Sequence, residues 1–97
     1  MSNNRTAGLP AYITEDADGS LSVDLVRGLK ISGAKVTQLK LREPTLDDQL
    51  ASQKVGENAD AEVALIANLA EIAPEELRAA KMRDYARLQE ALGFFYG

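Results

Sequence analysis

The apolar pattern of this chain changes its period once, at Pro44. Before Pro44, residues 21–25 alternate apolar and polar side chains with a period of two, and residues 36–41 form a second run rich in β-forming residues. After Pro44, apolar residues recur at helical spacing up to the C-terminus. This change predicts an α+β fold, in which an N-terminal β-hairpin is followed by three to four short helices packed as a small bundle.

The hairpin is predicted to occupy residues 21–43. Gly33 lies between the two runs and is free to adopt the positive φ that a tight turn requires. Gly28 interrupts the first run and predicts a bulge that returns Leu29 and Ile31 to the buried face. Pro44 ends the second strand, because it has no N–H to donate to the sheet.

The helical part is predicted to occupy residues 44–97. Its first helix, at about residues 45–55, has Thr45 as an N-cap residue with Asp48 three positions later, and Gly56 ends it. Its apolar stripe consists of Leu46, Leu50 and Val55.

Three further helices are predicted after Gly56. One spans about residues 60–72, is capped by Asp60 and is apolar nearly all round, which is typical of a helix that is central or faces a partner. A short helix begins at Pro74 and ends at about residue 80. The last helix begins near Asp84, and its apolar face consists of Tyr85, Leu88, Leu92 and Phe95.

Residues 1–20 are predicted to form a disordered, mobile N-terminal tail, so that residues 21–97 make up a single α+β domain. The tail is rich in Ser, Asn, Gly, Asp and Thr, and its one apolar island, at residues 9–13, is too small to repay the entropy of ordering it. Two alternatives remain open for this island: it docks on a partner, or it has no role.

The composition argues against an enzyme. The chain has no Cys and no His, which removes disulfides, thiolate ligands and the side chain best suited to proton transfer near neutral pH. The adjacent carboxylates Asp47–Asp48 and Glu75–Glu76 lie in predicted first helical turns, where neighbours point about 100° apart and do not converge on one atom. We therefore expect no catalytic, cofactor-binding or metal-binding residues, and no cofactor.

The apolar runs are too short to cross a bilayer and the N-terminus lacks a secretory signal, so we expect a cytoplasmic protein with no membrane partner. The charges lie in blocks: residues 25–42 carry five bases and no acid, whereas residues 43–77 carry nine acids against Lys54. Two interpretations of these charge blocks remain open. Either like molecules pack basic face to acidic face, or a solvated hairpin carries charges that protect its edges from aggregation. The acidic block argues against nucleic acid as a partner.

Aromatic residues are concentrated at the C-terminus, where Phe94, Phe95 and Tyr96 follow one another. Phe95 continues the apolar face of the last helix, whereas Phe94 and Ala91 lie on a second face. This second face is either a partner surface or a set of rings that closes the open end of a small core. A domain of this size has a core that supplies only a few kcal/mol, which favours association with itself or with another chain.

Two segments of the sequence resemble the signatures of a known family. Residues 33–45 (GAKVTQLKLREPT), followed by Asp48, are similar to its hairpin-to-helix signature. Residues 74–78 (PEELR), followed by residues 83–85 (RDY) and Leu88, are similar to its second signature. The family is that of the small tail assembly chaperones of contractile-tailed phages and prophages, of the Mu-like kind, and the resemblance covers about residues 21–96.

The resemblance implies a non-enzymatic chaperone in the host cell cytoplasm. Such a protein would bind the tape measure protein, a very long helical chain that sets tail length, and would assist tail tube assembly, with the tail tube protein as a further candidate partner. A long amphipathic helix exposes apolar stripes, and an apolar groove on a small acidic protein would cover them. On this hypothesis the partner-binding residues are Val63, Ile66, Ala70, Leu88, Leu92, Phe94 and Phe95.

The alternative function is a small, self-assembling structural or adaptor component of a phage tail. It is supported by the same charge blocks and the same aromatic C-terminus. A chaperone would be absent from finished particles, whereas a structural component would be present in them.

Overall fold

A computed structural model describes residues 8–97 of the chain. Three antiparallel strands form one sheet in chain order: β1 (Ile13–Glu15), β2 (Leu21–Ile31) and β3 (Ala34–Leu41). Four helices follow: α1 (Leu46–Val55), α2 (Asn58–Ala70), α3 (Pro74–Arg78) and α4 (Met82–Phe94). The α+β class and the order of strands before helices are confirmed.

Strand β1 corrects the prediction of a hairpin alone. It pairs with β2 through Ile13 opposite Val23, and the Ile13 side chain is buried in the core. The predicted mobile tail included these residues, whereas its residues 1–7 lie outside the described part of the chain. The segment is ordered because β2 supplies backbone partners that an isolated apolar island lacks. The start of the domain at residue 21 stays a prediction.

Strand β2 contains the predicted bulge at Gly28. Residues 25–28 of β2 lie opposite the single residue Thr37 of β3, between the pairs Asp24–Gln38 and Leu29–Val36. Gly28 has φ of +84°, and a Cβ there would lie 2.9 Å from the carbonyl oxygen of Val36, so only glycine fits without strain. After the bulge Leu29 is buried and Ile31 packs against the core, as predicted.

The turn between β2 and β3 has positive φ at both central residues, 53° at Ser32 and 84° at Gly33. This combination matches the twist of the two strands, and the prediction for Gly33 is confirmed. The Glu76 carboxylate of α3 accepts a hydrogen bond from the backbone N–H of Ser32 at 2.8 Å, which holds the turn against the helices.

The helices enclose the core on one side of the sheet. Helix α2 contacts β3, helices α3 and α4 contact β2, and helix α1 packs on α2. The fully buried large apolar side chains come from both layers: Leu21, Val23, Leu41, Ile66, Leu69, Leu77 and Leu88. Within residues 8–97, no helix has the length and apolar character needed to cross a membrane.

The helix boundaries agree with the sequence where a cap defines them. Thr45 and Asp48 form the predicted capping box of α1, and Gly56 follows its last residue. Helix α2 begins earlier than predicted, after Glu57, so Asp60 is not its cap. Asp60 lies inside the first turn instead, 3.4 Å from the guanidinium of Arg78.

The apolar stripe predicted for α1 does not face the core. Leu46, Leu50 and Val55 are 73%, 48% and 68% exposed, and the buried residue of this helix is Ser52, whose hydroxyl donates to the carbonyl of Gln49 at 2.7 Å. Leu46 and Leu50 lie about 40° apart and share one face of the helix, but this face is turned to solvent because α1 packs on α2 through the side of Ser52. Val55 lies about 140° from Leu50, so the three side chains do not form a single stripe.

Candidate functional site

The seven residues predicted to contact a partner do not form an exposed patch. Ile66 and Leu88 are fully buried and Leu92 is 8% exposed. The other four are partly buried and pack against the core: Val63, Ala70, Phe94 and Phe95. In this conformation most of these side chains stabilise the chain itself, and their contact with a partner stays a prediction.

The aromatic C-terminus divides between the core and the surface. Phe94 and Phe95 pack against the core, and Ala91, on the second face of the helix, is fully buried. Tyr96 is 64% exposed. Two of the three rings therefore cover the core in the isolated chain, and the third remains accessible.

An open groove of about 530 Å³ lies between α1, the first half of α2 and the end of α4. Leu65 and Leu92 contribute apolar surface to it, and Ala61 lies beside them. The remaining lining residues are polar or small, apart from the ring of Tyr96: Gln49, Ser52, Gln53, Gly56, Glu57, Asn58, Glu62 and Tyr96. Of the seven predicted contact residues, Leu92 is the one that lines this groove.

Hydrogen bonds between helices hold the walls of the groove. The Tyr96 hydroxyl donates to Oε1 of Gln49 at 3.0 Å and so links the end of α4 to α1. Oε1 of Glu62 accepts from the Tyr85 hydroxyl at 2.7 Å and from the Gln89 amide at 2.8 Å, which links α2 to α4. Burial, together with the Glu62 carboxylate, raises the pKa of the Tyr85 hydroxyl, so it remains a donor at neutral pH.

The position of α4 also depends on a buried carboxylate, Asp84, which is 1% exposed. Its two oxygens accept hydrogen bonds from the backbone N–H groups of Val26, Arg27 and Gly28, at 2.6, 2.9 and 3.0 Å. These N–H groups belong to the bulge of β2, where Thr37 is the only opposing residue of β3. The Asp84 carboxylate thus supplies the hydrogen-bond acceptors that a paired strand would otherwise provide at the bulge. These bonds also fix the start of α4 on the sheet.

From the sequence, Asp84 was predicted only as the approximate start of a helix. Two signals, taken together, indicate that it accepts hydrogen bonds from the backbone of the bulge. The bulge predicted at Gly28 leaves backbone donors without a strand partner, and a buried donor requires an acceptor. A carboxylate is the side chain that accepts several such bonds at once.

In each of the two pairs of adjacent carboxylates, one member makes structural contacts: Asp48 in the first pair and Glu76 in the second. Asp48 accepts two hydrogen bonds from the Arg42 guanidinium, at 2.7 and 2.9 Å, and one from the Thr45 N–H at 2.8 Å, which hold the pKa of its carboxyl well below the usual range. Glu76 accepts bonds from the N–H groups of Ser32 and Ala73, which also lower its pKa. Among residues 8–97, no three acidic side chains are arranged to hold a metal ion.

Comparison with known proteins adds one finding. A family model described as "Phage tail assembly chaperone proteins, E, or 41 or 14" matches residues 22–97, which is more than half of the chain. No curated protein and no solved structure matches the chain. The matched region includes β2 from its second residue, β3 and all four helices, and therefore every residue of the groove.

Proposed function

Since the chain belongs to the family of phage tail assembly chaperones, we propose that it binds the tape measure protein and assists assembly of the tail tube without catalysing a reaction. The proposal places this step in the host cytoplasm, where tail proteins are made and joined. The family match supports a role in tail assembly, and the groove supports the choice of a helical partner.

The groove between α1, α2 and α4 is the observation that carries the proposal. Its polar rim surrounds a small apolar area at Leu65 and Leu92, which are 4% and 8% exposed, and the groove is open to solvent. A partner helix lays its apolar stripe into such a groove and keeps its polar face in water. A long amphipathic chain without a tube around it exposes many such stripes, and a chaperone that covers them prevents aggregation.

The charges on the rim indicate what flanks that stripe. Glu57 and Glu62 line the groove, and they belong to a chain whose net charge is −4. A partner helix with Lys or Arg beside its apolar residues would meet a complementary potential. Tyr96 is exposed at the rim, where an aromatic ring supplies a large contact area at a small entropic cost.

The test introduces a long side chain into the groove without breaking a helix. Ala61 lines the groove, and Arg is a good helix former, so Ala61→Arg fills the space while α2 persists. We expect Ala61→Arg to weaken binding of the tape measure protein of the same phage by at least about tenfold, which corresponds to about 1.4 kcal/mol. Isothermal titration calorimetry with fragments of the tape measure protein measures this change.

The matched control is Ala86→Arg, which makes the same chemical change at an exposed position of α4 outside the groove. It is expected to bind as the wild type does. Equal binding by wild type and Ala61→Arg would reject the groove as the contact surface. Mass spectrometry of purified tails tests the role itself, because finding the chain in finished particles would favour a structural component over a chaperone.

A further inference from the structure

Five basic residues lie at one end of the molecule, on two segments that are joined there, and we call this cluster the basic end. Asp84 brings its two segments together, because its carboxylate on α4 binds the backbone of residues 26–28. The members come from the β2–β3 hairpin and from the start of α4: Arg27, Lys30, Lys35, Lys81 and Arg83. Within residues 8–97, none of these five side chains forms an ion pair.

The fold does not favour this concentration of positive charge. Lys30 and Lys35 lie directly opposite each other on β2 and β3, and like charges in such a pair are destabilising. Lys81 is the N-cap residue of α4 and Arg83 lies in its first turn, so both stand at the positive end of the helix dipole. The cluster therefore costs stability in the isolated chain, which points to a role outside it.

A second cluster lies at the other end of β3, and we call it the acidic end. It consists of Glu43, Asp47 and Glu71, which lie close to the start of α1 and the end of α2. Glu43 and Asp47 form no ion pair within the described residues. The pKa of Arg42 is raised mainly by its hydrogen bonds to Asp48 and to a smaller extent by the charge of Glu71. The eight residues of β3 separate the two ends by about 23 Å.

Each end also carries exposed apolar side chains. Val26 and Met82, at the basic end, are 43% and 72% exposed, and Leu46, between the acidic residues, is 73% exposed. An interface needs an apolar centre as well as complementary charge around it. Both ends have these two components, with charges of opposite sign.

We infer that copies of this chain associate head to tail, with the basic end of one copy bound to the acidic end of the next. The carboxylates of Asp84 and Glu76 bind the backbone among the five bases, so the basic end contributes +3; since the whole chain has a net charge of −4, the remainder carries −7 and attracts the basic end of another copy. Such an interface joins two different surfaces, so it propagates into a ring or an open array. The surfaces are separate from the groove, and the inference does not depend on the proposed function.

The first test is sedimentation velocity of the wild-type chain at two salt concentrations. We expect an average mass above the 10.5 kDa of the monomer at about 50 mM NaCl, and a return to the monomer at about 500 mM NaCl, because salt screens exposed charges. A chain that stays monomeric at low salt and high protein concentration would overturn the inference. So would binding of duplex or single-stranded DNA at the basic end in place of self-association.

Charge reversal then tests each end separately. The variants Lys30→Glu/Lys35→Glu and Glu43→Lys/Asp47→Lys are each expected to lower the association constant by at least about tenfold. Mixing the two variants is expected to restore association, because each altered end then meets an end of opposite sign. Failure of the mixture to associate would reject this pairing of surfaces.

Two controls separate this inference from other readings. Lys30→Arg/Lys35→Arg keeps the charge and is expected to associate as the wild type does. If the lysines only protect the sheet edge from aggregation, the Glu variant keeps a charged edge and would associate like the wild type, which contradicts the inference. Arg83→Glu places an acid in the first turn of α4, where it favours the helix; the variant is expected to lose association while its circular dichroism spectrum stays that of the wild type.

Discussion

Helices α1 and α4 begin with the same local signal and use it differently. Each has an Asp at the third helical position, Asp48 in α1 and Asp84 in α4. Asp48 binds Arg42 and Thr45, which lie six and three residues before it, whereas Asp84 binds backbone groups 56 to 58 residues away. The same residue type therefore closes a local cap in one helix and joins two distant elements in the other.

The two helices also differ in how deeply their apolar side chains are buried. Leu88 of α4 is fully buried, whereas Leu50 of α1 is 48% exposed. Helix α4 is held by the core and by a buried carboxylate, while α1 is held by its cap, by Arg42 and by contacts with α2. Helix α4 therefore stabilises the domain, whereas α1 supplies one wall of the groove and an exposed apolar face.

The largest effect is expected when the contact between Asp84 of α4 and the bulge of β2 is removed. Asp84→Ala leaves three backbone N–H groups of the bulge without an acceptor, and each buried donor left in this way costs about 1–3 kcal/mol. We expect the free energy of unfolding, measured in urea, to fall by at least about 3 kcal/mol. Asp84→Asn retains one acceptor oxygen and should lose less. An unchanged unfolding midpoint in Asp84→Ala would show that the bulge does not depend on this carboxylate.

The second prediction compares the cost in stability of the same Leu→Ala substitution in α4 and in α1. Leu88→Ala should lower the free energy of unfolding by about 3 kcal/mol, because it opens a cavity at a fully buried position. Leu50→Ala should change it by less than about 1 kcal/mol, because nearly half of that side chain is already in water. Thermal and urea unfolding of the pair measure the difference. Equal losses would mean that α1 packs as tightly as α4.

The smallest effect is expected when the contacts of Asp48 at the start of α1 are removed, and this effect depends on pH. The pKa of Asp48 is lowered by Arg42 and by the Thr45 cap, so its contribution to stability is present above the unfolded pKa of about 4 and is lost as pH falls toward the lower folded pKa. We expect Asp48→Asn to cost about 1–2 kcal/mol at neutral pH.

The same variant is expected to show a smaller cost in acid, because the Asp48 carboxyl of the unfolded wild-type chain is then protonated and unfolding is favoured by proton uptake, whereas the variant has no such coupling. Urea unfolding of wild type and Asp48→Asn at about pH 7 and about pH 2.5 measures the two differences. A difference that is the same at both pH values would show that the charge of Asp48 does not stabilise α1.

Much of the fold could be predicted because its signals are local. Gly28 and Gly33 require conformations that side chains disfavour, and Thr45 with Asp48 forms a cap within four residues. Strand β1 was missed because three residues carry little periodicity, and it is ordered only by pairing with β2. The cap assigned to Asp60 was wrong because α2 begins two residues earlier, without a side-chain cap.

The candidate site was less predictable than the fold. A list of apolar helix positions finds residues that lie in the core as readily as residues that face a partner, since both follow the same spacing. Ile66 and Leu88 illustrate this, because they were chosen for contact and are fully buried. The groove includes polar residues such as Gln49 and Asn58, which no apolar pattern could select.

The order of strands and helices, the bulge, the turn and the first cap follow from local sequence, because each depends on residues close together in the chain. Which apolar side chains are covered, where the groove opens and which charges lie at each end of β3 follow only from how the elements pack. Those outcomes depend on residues 40 or more positions apart, as the contact between Asp84 and Gly28 and the contact between Tyr96 and Gln49 both show. Burial is set by how whole elements pack, and the pattern within one element does not specify that packing.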